Sequence, residues 1–335
     1  MNIEQTNNLY ENWIKKPEMI YILKELNRIP LFNRNKNIIY IAMIEVIYNN
    51  INKNLHLLTT DNQQLKFYKN MLNKIYINLY QIYDIKDYKI YNYGINYYYY
   101  IYKINNYLNL LIDYNIDEEY LPIEIFFRGI HQIIEINLLN LIEKQEEIEI
   151  MININNDIVT KIIYNNISIW NELIELLNLL SSLDELQYQK YRNLIYGTSG
   201  GESINLRKIQ KKIQCLDTFI QLDIYDIIKN KKDDKYLISL IKLYQYYTTQ
   251  FWLTHFNLAS STNGIKNKGT KETPITKLID KCINMMDTRI NNTIYVISQE
   301  VNDDTSKKKI KINNKEKIIG LSIYNSSKSI LKLVE

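Results

Sequence analysis

Apolar side chains recur at three- and four-residue steps along much of this chain, the period of a helix with one buried face. Met19–Leu26 shows it, with Ile20, Leu23 and, one turn on, Ile29 before Pro30 closes the run. Ile38–Ile51 repeats it. The clearest case starts at Pro122, a residue favoured in a first helical turn. It continues through Ile125, Ile130, Ile133, Ile134, Leu138, Leu139 and Ile142, and predicts Glu146 and Glu147 at the solvent. Further helices are expected over Ile167–Leu180, Ile204–Ile220, Leu237–Leu258 and Ile275–Met286. No βαβ alternation or internal repeat is visible. The tyrosines at 97–100, with Tyr102, fit either a packed helix or compositional drift. From Asn302 onward the chain is polar and basic, then weakly apolar, which suits a short hairpin or a loose tail. The pattern predicts one mainly α-helical domain with an N-terminal extension.

Composition supports this and narrows the partners. A chain of 335 residues buries a core for one large domain or two small ones. Gly 8 and Pro 4 leave little punctuation for a many-stranded β fold. The heavy use of Ile, Asn, Lys and Tyr (Tyr 30) reads as nucleotide bias and inflates apparent strand propensity, so periodicity is the better guide. Basic and acidic residues nearly balance, 41 against 37, without the concentrated basic face that nucleic-acid binding requires. Lys307–Lys309 is a short basic run that fits a solvated loop or a partner-binding patch. Cys215 and Cys282 stand far apart and outside any metal or haem-attachment motif, as expected of free thiols in a reducing cytoplasm. Met1–Gln5 lacks the order of a signal peptide, and Ile38–Tyr48 is too short for a membrane span and carries Glu45. A cytoplasmic protein with neither nucleic acid nor membrane as partner is the expectation.

Candidate chemistry gathers around two of the three histidines. His131 lies in Phe126-Phe127-Arg128-Gly129-Ile130-His131-Gln132, with Glu135 one turn later. His255 follows Phe251-Trp252-Leu253-Thr254 and precedes Gly264 and Lys268-Gly269-Thr270. Between them stand Tyr188, Arg192 and Ser199-Gly200-Gly201-Glu202-Ser203. A haem site in a helical protein needs an axial imidazole, a cavity, and cationic or hydroxyl partners for the propionates. The aromatic setting of His255 suits a flat macrocycle. Arg192 suits bidentate capture of a carboxylate, and the Ser-Gly turn offers amides and hydroxyls to an anion. Taken singly, each residue has another reading. Either histidine fits a core imidazole bonded to a backbone carbonyl, His131 and Glu135 fit a local i,i+4 pair or half a metal site, and Arg192 fits a surface residue at a helix end. A zinc site is poorly supported, because no cysteine or second acidic cluster stands at ligand spacing.

Taken together these residues resemble the tryptophan 2,3-dioxygenase-like superfamily of histidine-ligated haem oxygenases. The family's HQxxE helix, with a phenylalanine one turn before the histidine, is matched by Phe127, His131, Gln132 and Glu135. Its Tyr, Arg and SG-x-x-S are matched by Tyr188, Arg192 and Ser199-Gly200-Gly201-Glu202-Ser203. Its proximal histidine, glycine and basic-Gly-Thr loop are matched by His255, Gly264 and Lys268-Gly269-Thr270. The resemblance spans roughly residues 120–290. It departs at Gly201, where ring-cleaving members carry a bulky aromatic, and at Lys271 and Glu272, where they carry further glycines. The connection from Arg192 to His255 is shorter than in tryptophan dioxygenases, and the layout is closer to the haem-dependent tyrosine hydroxylases of antibiotic-type pathways. Ala259 stands where some of those tether the haem through a cysteine, so non-covalent haem b is expected.

The resemblance implies a helical haem fold with an extension at 1–120, a haem-binding core at 121–300 and a polar tail at 301–335, together one structural domain. It implies His255 as proximal iron ligand and His131 as the catalytic group on the open face. Arg192, Thr270, Tyr188 and Phe127 would contact the substrate, and Ser199, Gly200 and Trp252 the cofactor. The implied activity is ring (3-)hydroxylation of tyrosine or a tyrosine derivative in specialised metabolism, with dioxygen or peroxide as oxidant. Tryptophan ring opening to N-formylkynurenine and a non-catalytic haem-binding or interaction protein are the alternatives. A homo-oligomer is implied as well.

Overall fold

The computed structural model describes residues 36–83, 119–151, 156–192, 203, 205–213 and 235–263. Among these every regular element is helical: α1 (Lys36–Leu58), α2 (Asn62–Ile82), α3 (Leu121–Met151), α4 (Asn156–Ser181), α5 (Glu185–Arg192), α6 (205–213) and α7 (Lys235–Asn263). The expected helices at 38–51, from 122, at 167–180 and at 237–258 fall within α1, α3, α4 and α7. The 204–220 segment is helical over 205–213, and those at 19–26 and 275–286 lie outside the described residues. So do Cys215, Cys282, the tyrosine run and the basic tail.

Two helices carry no expectation from the pattern above. In α2 the buried positions Tyr68, Leu72, Ile75 and Leu79 keep helical spacing, but Asn, Gln and Lys fill most of the rest. Asp61 caps it by accepting from the Gln63 amide at 2.8 Å, satisfying one of the unpaired N–H groups of the first turn. The other, α5, is a two-turn helix of eight residues that holds Tyr188, Tyr191 and Arg192.

The chain divides into two compact units. The first comprises residues 1–143 and 171–209, the second 144–170 and 210–335, so α3, α4 and α6 each contribute to both. In the first, α1 and α2 pack together with Tyr48 and Tyr76 stacked at 4.5 Å. Gly129 of α3 lets α1 approach closely, since a Cβ there would lie 2.6 Å from Cδ1 of Ile51. Tyr68 reaches Phe126 of α3 at 5.2 Å between ring centroids and donates to the Ser182 carbonyl at 2.9 Å. Tyr83 donates to Asn137 at 2.9 Å. In the second unit, Lys212 pairs with Glu146 at 3.3 Å and Glu149 at 3.5 Å. There the Tyr244 hydroxyl meets Gln145 at 3.4 Å, and Trp170 meets Phe251 edge-on at 5.1 Å.

Helix α3 is buried on nearly all sides, which explains its long apolar run. Among the described residues it is the helix long and apolar enough to cross a membrane, yet 83% of its most apolar window is buried in protein. It also carries Glu124, Arg128, Glu135 and Asn137, each engaged by protein groups, which suits a core helix.

Candidate functional site

In the first unit α3 and α5 build an aromatic cluster. Phe127 lies with its ring centroid 4.2 Å from His131, 5.6 Å from Tyr188 and 5.7 Å from Tyr191, the last edge-on. These tilted arrangements suit the ring quadrupoles. His131 Nδ1 is 2.7 Å from the Phe127 carbonyl. A carbonyl oxygen accepts only, so Nδ1 carries the hydrogen, and in the neutral ring Nε2 holds the lone pair.

Helix α5 is held on α3 by a buried carboxylate. The Tyr191 hydroxyl donates to Glu124 Oε2. Glu124 Oε1 faces the Arg128 guanidinium as an ion pair, without the alignment of a hydrogen bond. Sequence reasoning singled out neither Glu124 nor Tyr191. The signal was present: Glu124 and Arg128, spaced i,i+4, share a helix face with His131 and Glu135.

Glu135, one turn beyond His131, is also buried. Asn205 donates to its Oε2 at 2.9 Å, and it is hydrogen-bonded to Ser203 as well. Burial raises its carboxyl above the ordinary range, and the bonds from Ser203 and Asn205 oppose that shift. Ser203 in turn caps α6, its Oγ accepting from the Leu206 amide at 2.9 Å. The last residue of the His131-Gln-x-x-Glu135 motif therefore meets the last residue of the Ser199-Gly-x-x-Ser203 motif.

The second unit holds the other histidine. His255 follows Phe251 by one turn of α7, the rings 6.3 Å apart and nearly parallel, and Trp252 stands edge-on at 6.1 Å. The residue keeps part of its surface at solvent, but Nδ1 itself is sealed and has no hydrogen-bond partner. Burial lowers its pKa to about 4, so the imidazole is neutral at physiological pH. A neutral imidazole is the protonation state a metal ligand requires, whereas the sealed Nδ1 lacks the hydrogen-bond partner that usually orients such a ring.

Phe127, His131 and Tyr188 are thus brought together in one unit, with Trp252 and His255 together in the other. Arg192 is the last residue of α5, one turn after Tyr188. Ser199, Gly200 and Thr270 lie outside the described residues. Among the described residues no group of three or more His, Cys, Asp or Glu converges as a metal-ion site. The third histidine, His56, is exposed on α1. No protein-family model, curated protein or solved structure matches this chain.

Proposed function

We propose that this chain is a haem-dependent oxygenase of an aromatic amino acid, hydroxylating the ring of tyrosine or a tyrosine derivative within a tryptophan 2,3-dioxygenase-like helical fold. The observation that carries the reading is the meeting, in one unit, of residues from two of the matched motifs, carried on α3, on α5 and ahead of α6. Phe127 on α3 contacts both His131 on the same helix and Tyr188 on α5, and Glu135 on α3 binds Ser203 ahead of α6. Independent helices have no reason to converge through those particular residues.

In this reading His255 holds haem b from its neutral imidazole, and Trp252, Ser199 and Gly200 serve the cofactor. Bound haem would supply the oxygen-activating chemistry, with dioxygen or peroxide as oxidant. The protein's own task is to bind and aim the amino acid. Arg192 takes the carboxylate through two hydrogen bonds, Thr270 takes the ammonium group, and Phe127 and Tyr188 flank the ring. His131 Nε2 accepts the phenol proton or returns it, a role suited to an imidazole near neutral pH. The Phe127 carbonyl holds the tautomer that this requires.

Mass analysis after incubating the haem-loaded chain with tyrosine or tryptophan, under dioxygen with a reductant or under peroxide, tests the proposal. One oxygen atom added to tyrosine is the expected result. Two oxygen atoms added to tryptophan would replace hydroxylation by ring opening. A Soret band that neither amino acid shifts, with no product, would leave a non-catalytic haem protein and overturn the proposal.

A further inference from the structure

Among the described residues of the second unit, seven buried polar side-chain atoms make no hydrogen bond: Gln145 Nε2, Asn166 Nδ2 and Oδ1, Trp170 Nε1, Gln245 Nε2 and Oε1, and His255 Nδ1. Gln145, Asn166 and Trp170 have no exposed surface, and Gln245 is 2% exposed. Burial alone does not produce this. Asn137 in the first unit is equally sealed, yet it accepts from Tyr83 and donates to the Ile133 carbonyl at 2.8 Å. A buried amide without partners costs more than an ordinary hydrogen bond contributes, so seven such atoms would consume much of a domain's stability.

The helices that carry these atoms also pack together. Asn166 and Trp170 are one turn apart on one face of α4. On α7, Gln245, Trp252 and His255 follow at steps of seven and three, again one face, with Thr248 and Thr249 between them. The contact of Tyr244 with Gln145 brings α3 to α7, and that of Trp170 with Phe251 brings α4 to α7 further along. From Gln245 to His255 the face runs roughly 15 Å at the rise of an α-helix. Both buried threonine hydroxyls are already spent on the Gln245 carbonyl, at 2.9 and 2.8 Å.

We infer that this seam is a hydrated channel in the core, holding a file of ordered water molecules that ends at His255 Nδ1. The groups that line it are uncharged and mix donors with acceptors, the chemistry that suits water and not an ion. The water at its end is the hydrogen-bond partner that orients the imidazole and leaves Nε2 for other use. The inference concerns the unliganded chain and does not depend on haem.

Water-selective nuclear Overhauser spectroscopy on the full, deuterated chain tests it. The indole N–H of Trp170 is identified by its loss in Trp170→Phe. Expected are cross-peaks to water, with the sign of long-lived contact, at that indole and at the Asn166 and Gln245 carboxamides. Asn166→Leu and Gln245→Leu should each lower the urea midpoint, because they strip partners from the file. A Trp170 indole with no water contact, or a midpoint raised by both replacements, would mean dry orphans and overturn the inference. Cross-peaks to non-water protons of a retained molecule would equally overturn water as the occupant. The indole measurement on the unmodified chain decides the matter even where a variant fails to fold.

Discussion

The side-chain amide of Asn205 donates a 2.9 Å hydrogen bond to the carboxylate of Glu135, tying the start of α6 to the helix that carries His131. Ser203 adds a second bond to the same carboxylate while capping α6. Glu135 therefore joins α3 to the start of α6.

Its titration yields the first prediction. Burial raises the Glu135 carboxyl, so the native chain retains a proton at pH values where the unfolded chain, at the ordinary value of about 4.3, has released it. That contribution favours the native state below the ordinary value and is lost as pH rises through the folded one. Glu135→Gln keeps an acceptor for Asn205 and removes the charge. Urea denaturation should show Glu135→Gln gaining on the unmodified chain as pH rises from about 4 to 8. A difference independent of pH would contradict the account.

The second prediction concerns Glu124, which has 1% of its surface exposed. Tyr191→Phe removes a hydrogen bond to a buried carboxylate and should cost about 1–3 kcal/mol. Arg128→Leu leaves that charge uncompensated and should cost more, about 3–5 kcal/mol. In a Glu124→Gln background both losses should shrink. Additive urea midpoints across these double-mutant cycles would show that the three side chains do not act together.

Gly129 supplies the third. Alanine there gains about 1 kcal/mol of helix propensity, but its Cβ would lie 2.6 and 2.7 Å from Cδ1 and Cγ1 of the buried Ile51, and 3.3 Å from Cγ2 of Ile47. Overpacking of this kind costs about 1–3 kcal/mol. Gly129→Ala should therefore be neutral to destabilising, and its cost should vanish in an Ile51→Ala background, which removes both Cδ1 and Cγ1. A Gly129→Ala chain that melts higher than the unmodified one would refute this packing.

Much of the fold was legible because α1, α3, α4 and α7 bury Ile and Leu at a steady helical period. The pattern failed at α2, where Tyr68 and sparse aliphatics carry the buried face and Asn, Gln and Lys dilute it. It failed at α5 because eight residues span two turns, too few to establish a period; tertiary bonds from Tyr191 hold that helix instead. The resemblance named Phe127 and Tyr188 as substrate contacts, but nothing local in the sequence gives their 5.6 Å ring contact. The tie from Glu135 through Ser203 and Asn205 was equally illegible, since nothing local joins positions that far apart. The seam of buried amides was also hidden, because Asn and Gln in so Asn-rich a chain do not stand out.

A fourth prediction tests substrate recognition. If Arg192 grips the substrate carboxylate through two hydrogen bonds, Arg192→Lys keeps the charge but loses the fork, and KM for tyrosine should rise roughly tenfold or more. The haem spectrum should stay nearly unchanged. Tyramine, which lacks the carboxylate, should be a poor substrate of the unmodified chain and lose that disadvantage in the variant. Equal use of tyramine and tyrosine by the unmodified chain would exclude a carboxylate anchor at this residue.

The central claim is that His255 anchors haem and His131 serves the chemistry, and a haem titration followed at the Soret band tests it most directly. His255→Ala should abolish stable haem binding, whereas His131→Ala should bind haem as the unmodified chain does and lose only turnover. Loss of haem from His131→Ala with retention by His255→Ala would contradict the account.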